Sequence, residues 1–87
     1  MKKDELKEQI FTKIAEAKDV ILSKNPDVFK VDQLDMELTA LMSSANLVRA
    51  EAENEANTWK MITGSVQEIV RSLRKMHETY NTERRMN

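Results

Sequence analysis

The chain has 87 residues, of which 40% are hydrophobic, 33% charged and 5% aromatic, with a formal net charge of −1, no cysteine, one glycine and one proline. A domain this short buries only about 60% of the surface its unfolded chain exposes, and a lone Gly64 and Pro26 cannot supply the repeated tight turns of an all-β fold. Disulfides and thiolate ligands are excluded, and no apolar run approaches the roughly 20 residues of a membrane span. The expectation is one small all-α domain, cytoplasmic, with oligomerisation as a source of the stability that a small core lacks.

From Asp4 to Ser23 the residues Leu6, Ile10, Ile14, Ala17 and Ile21 recur every three or four positions, with Phe11 and Val20 widening the stripe. That spacing predicts an amphipathic helix over residues 4–23. The segment Ser23-Lys24-Asn25-Pro26-Asp27 ends it, because a residue before proline is driven away from helical angles. Asn25 is expected to cap a second helix and Pro26 to occupy its first turn.

Beyond this turn, alternating steps of three and four select Val31, Leu34, Leu38, Leu41, Ala45, Val48, Ala52, Glu55, Trp59, Ile62, Val66, Ile69, Leu73, Met76 and Tyr80, and every one except Glu55 is apolar or aromatic. A sustained 3.5-residue period is the signature of helices in coiled-coil-like packing. Unbroken, the helix predicted over residues 27–80 has a heptad-bearing part of about 75 Å. Met42, Ala56 and Val70 flank the stripe on one side, and Ser44, Thr58, Ser65, Ser72 and Thr79 on the other, which makes the face too wide for a two-stranded zipper and favours a bundle. Two places offer a bend: residues 53–58, where Glu55 interrupts the stripe, and Gly64, which is followed by a capping-box match from Ser65 to Glu68. The fold expected is therefore a helical hairpin with a short first helix and a long second one, or, if broken at either place, a three-helix bundle. Residues 81–87 have no apolar period and are expected to fray.

Charge is segregated along the chain. Residues 1–26 carry +1, residues 27–58 carry −5 and residues 59–87 carry +3. An acidic middle and a basic end suit helix pairing better than binding to a general polyanion.

Little in the sequence assembles catalytic chemistry. His77 is the only histidine, so a nucleophile–base pair has one candidate base, on a helical stretch. Arg74 stands three residues before His77, where a di-metal bundle requires glutamate. Glu51, Glu53 and Glu55 form an acidic run, and on a continuous helix Glu51 and Glu55 share a face. A single glycine cannot cradle a phosphate. No enzyme activity, metal or cofactor is expected.

The leading expectation is an assembly or adaptor protein whose heptad face, Trp59, Ile62, Val66, Ile69, Leu73 and Met76, packs against a second copy or a helical partner protein. A second is a nucleic-acid accessory protein that meets phosphates through Arg71, Arg74, Lys75, Arg84 and Arg85, with Glu68, Glu78 and Glu83 interleaved. A third is a small inhibitor, of the bacterial or phage kind, covering a partner with its acidic middle. The Asn25-Pro26 turn and the stretch ANTWKMITGSVQEIVRSLR, residues 56–74, resemble the needle and inner-rod subunits of type III secretion systems. That resemblance implies a polymerising C-terminal helix and a filament subunit. It transfers no site residues, and this chain is more highly charged and continues thirteen residues past Arg74.

Overall fold

The computed structural model describes the backbone of residues 2–86 and the side chains of residues 2–79. Three α-helices follow in order, α1 over Lys3–Leu22, α2 over Val28–Glu51 and α3 over Ala56–Met86, with a single 3-10 turn at Glu53–Glu55 before α3. No strand occurs among the described residues. Helical backbone continues to Met86. Asn87 lies outside the described residues.

α1 forms where the apolar spacing predicts. Leu6, Ile10, Ile14, Ala17 and Val20 are buried along one face, and Asp4 and Glu5 in the first turn complement the positive end of the helix dipole. Ser23 leaves the helix with extended angles while its amide still donates to the Val20 carbonyl at 3.2 Å. The cap of α2 differs from expectation: Pro26 precedes the helix, and Asp27, not Asn25, accepts the Phe29 amide at 3.0 Å. The reason is electrostatic: a carboxylate at Asp27 meets the helix dipole where no other acidic residue stands in the first turn.

The long second helix is broken at the earlier of its two candidate positions. Ala52 adopts φ −98° and ψ 77°, close to an inverse γ-turn, with its amide donating to Val48 at 2.8 Å and its carbonyl accepting from Glu55 at 3.1 Å. These angles suit any L-residue, so the reversal needs neither glycine nor proline. Gly64 is not a stop. It lies inside α3 with no positive φ, and a Cβ added there would meet nothing within 4 Å. The local match from Ser65 to Glu68 is overridden because Ile62, Val66 and Val70 on the same helix are buried. Gly64→Ala is accordingly expected to stabilise the protein by roughly 0.5–1 kcal/mol. A denaturant titration would show a higher midpoint at unchanged slope, and a lower midpoint would contradict an open helical site.

The helices run up, down and up. Early α2 faces late α3 through Asp35–Arg74 and Asp32–His77, while the start of α1 meets the α2–α3 turn through Lys3–Glu55 and Lys7–Glu55. One apolar core joins all three, with Leu6, Ile10, Leu34, Leu38, Trp59, Val66 and Leu73 the largest fully buried side chains. The molecule measures 52 × 18 × 17 Å. Its long dimension is set by α3, whose 31 residues span about 46 Å, and not by the roughly 75 Å of an unbroken heptad helix.

Candidate functional site

The face expected to meet another chain is already covered within this one. Trp59, Ile62, Val66 and Leu73 are buried in the core, and Ile69 and Met76 pack half-buried at its margin. The break at Ala52 folds α2 back along α3, so the heptad stripe of each helix is covered by the others. Trp59 is a core residue at 0% exposure, beneath the Lys7 ammonium 5.5 Å from its ring centroid. Its indole Nε1 is buried with no hydrogen-bond partner.

Glu55, the one charge in the heptad, lies at the chain reversal. Lys3 approaches it at 3.0 Å and Lys7 at 3.4 Å, and the hydrogen bond and attraction of Lys3, followed by the attraction of Lys7, hold its carboxyl below the usual range. The break places Glu51 at the end of α2 and Glu55 in the following 3-10 turn, so the two do not share one helical face as an unbroken helix would require. Among the described residues no group of three or more metal-ligating side chains is assembled.

Of the basic set, Arg71, Arg74 and Lys75 line one groove on α3, with Gln67 and Glu78 beside them. Arg74 bridges to Asp35 through Nε at 3.3 Å and reaches the Thr39 hydroxyl at 3.5 Å. Arg71 and Lys75 are exposed on α3. Arg84 and Arg85 have side chains outside the described residues. His77 Nδ1 stands 2.8 Å from Asp32 Oδ1. On the other flank of α2, Lys13 bonds Glu37, which lowers the Glu37 pKa and raises that of Lys13. The acidic α2 thus lies between basic groups of α1 and α3, in exposed pairs that solvent and salt screen strongly. A groove of about 650 Å3 opens between the α1–α2 turn and α3, lined by Ile21, Pro26, Val28, Val31 and Met76, with Lys24, Lys75 and His77 around it.

The outer side of α2 carries a second apolar stripe. Phe29, Gln33, Met36, Ala40, Ser43 and Leu47 recur at alternating steps of four and three, all exposed, on the side of the helix opposite Val31, Leu34, Leu38 and Ala45. Phe29 is 84% exposed, Met36 73% and Leu47 67%. No member of the stripe is charged, and the Ser43 hydroxyl is already satisfied by the Thr39 carbonyl at 3.4 Å. Isolated exposed apolar residues are ordinary. The row is about 27 Å long, with Phe29, Met36, Ala40 and Leu47 apolar and Gln33 and Ser43 polar, on a helix whose other face is also apolar.

Among the described residues no helix is long and apolar enough to cross a membrane. No protein-family model matches the chain, and comparison with characterised proteins and with solved structures finds no match.

Proposed function

We propose that this protein is a non-catalytic helix-packing module, an assembly or adaptor protein that acts by presenting the outer face of α2 to another helix. The observation that carries this reading is the exposed, uncharged heptad row Phe29, Gln33, Met36, Ala40, Ser43 and Leu47. Its 3.5-residue period matches the surface of a partner helix, since steps of four and three keep side chains on one seam against a second helix. The long, narrow three-helix body supports the reading by leaving that row unobstructed along α2. The expected surface is thereby moved from α3 to α2.

The test is the triple substitution Phe29→Gln, Met36→Gln, Leu47→Gln, studied at sub-micromolar protein. The monomer's thermal stability is expected to change little, because the side chains removed are exposed. Fluorescence of an anilinonaphthalene sulfonate probe, which brightens on accessible apolar surface, is expected to fall, leaving the part due to the groove beside Pro26 and to Phe11, Leu22 and Met61. Unchanged probe binding, or a loss of stability as large as that of a core truncation, would remove the α2 face as the working surface.

A further inference from the structure

The outer row of α2 is also self-complementary, and its charges specify an orientation. One flank of the row is formed by Lys30, Glu37, Ser44 and Glu51, and the other by Asp32, Thr39 and Asn46. Glu37 is held by Lys13, and Asp32 stands 2.8 Å from His77 Nδ1. Lys30 and Glu51 remain: both are exposed, on the same flank, at opposite ends of α2, and among the described residues neither forms an ion pair within the chain. We propose that the occupant of this face is a second copy of the chain, with its α2 packed antiparallel on the first; this rests on the reading of the α2 face given above.

Antiparallel heptads pair each first core position with a second one of the facing helix, so one register fixes the rest. Setting Ala40 of one copy against Ser43 of the other places Met36 opposite Leu47 and Gln33 opposite Ala50. It also brings Lys30 beside Glu51 and Glu37 beside Ser44, and a two-fold axis between Leu41 and Met42 makes each contact twice. Small residues at the centre let the backbones approach, while the large side chains fill the layers on either side. A parallel arrangement would instead face the two flanks with each other, setting Asp32 against Glu37 and Asn46 against Glu51 of the other copy, so that carboxylates meet and Lys30 and Glu51 stay at opposite ends. The charge pattern thus selects both the partner and its direction.

The size of the row sets the strength. In this register Met36 and Leu47 cover each other and Phe29 faces position 54 in the turn beyond the partner's α2, so covering both copies removes at most on the order of 1,000 Å2 of side-chain surface, the lower end for a specific interface. A reversible dimer, half-dissociated well above the sub-micromolar range, is expected.

Sedimentation equilibrium and light scattering on the full chain from about 1 µM to 1 mM test the proposal. Mass is expected to rise from the monomer value of 10.1 kDa towards twice that value, and the triple substitution Phe29→Gln, Met36→Gln, Leu47→Gln is expected to remain monomeric. Lys30→Glu alone and Glu51→Lys alone are each expected to weaken the dimer by roughly 3- to 30-fold, since each breaks the rim pair twice. The double reversal, Lys30→Glu with Glu51→Lys, is expected to restore it, which only antiparallel copies allow. A 10.1 kDa mass at every concentration would overturn the second copy as occupant. The probe result above would then still stand and leave the face to a different helix. A dimer that survives the triple substitution, or that the double reversal fails to restore, would also overturn the proposal.

Discussion

Truncating Trp59 to alanine is expected to cost about 3–5 kcal/mol, a large part of the roughly 5–15 kcal/mol that holds a small domain together. Trp59 is fully buried, the largest side chain of the core, and stands four residues after the reversal where α3 begins to lie against α1 and α2. Its loss would leave a cavity at the end of the bundle where Lys3 and Lys7 meet Glu55, and would remove the ring beneath Lys7. Because its indole Nε1 is buried without a partner, part of the truncation cost is returned: the variant no longer desolvates that donor. Thermal unfolding followed by circular dichroism should show a melting temperature lowered by more than about 10 °C. A shift of less than about 3 °C would mean that the tryptophan is not packed as described.

The second large effect separates the two faces of α2. Leu38 is fully buried in the core, and Leu38→Ala is expected to cost about 2–5 kcal/mol. Met36, two residues earlier, is exposed, and Met36→Ala at the same dilute concentration is expected to stay within about 0.5 kcal/mol of the parent. Chemical denaturation of the two variants side by side measures the contrast. Equal costs would show that α2 has no distinct outer face in the monomer and would remove the basis for the docking surface.

How far the sequence specifies this fold can be traced residue by residue. The stripe of Leu6, Ile10, Ile14 and Ala17 and the proline turn after it are strong local signals, and the structure follows them. The inward heptad on α2 and α3 was legible as well, since Leu34, Leu38, Trp59, Val66 and Leu73 are all in the core. What the period concealed was the reversal. The 3.5-residue phase runs from Val48 through Ala52 to Trp59 without a slip, and Ala52 turns the chain with angles that carry no residue signature. Glu55 was the available clue. A carboxylate in an apolar row is costly inside a continuous helix, and at a chain end it can meet Lys3 and Lys7.

The same ambiguity moved the candidate surface. With α2 and α3 joined end to end, the residues from Trp59 to Met76 have no cover in their own chain and read as an interface. With the chain folded back they form the core, and the large apolar residues left uncovered on α2 are Phe29, Met36 and Leu47. That row is less conspicuous because Gln33, Ala40 and Ser43 alternate with its large members, and because the apolar residues on opposite sides of α2 cancel in any one-face pattern. Met36 and Met42 illustrate the point: both lie on α2, and one is exposed while the other packs on the core.

The reversal at Ala52–Glu55 is the claim on which both the core and the α2 surface depend, and a single distance tests it. The chain has no native cysteine, so spin labels can be placed at Lys30→Cys and Lys75→Cys, two exposed positions on α2 and α3, and read by electron–electron double resonance in an excess of unlabelled chain. With helix axes packed about 8–10 Å apart, the account predicts a narrow distribution below about 30 Å that persists on dilution with unlabelled protein. A distance near 70 Å, the length of 45 residues of unbroken helix at about 1.5 Å each, or a short distance that vanishes on dilution, would contradict it.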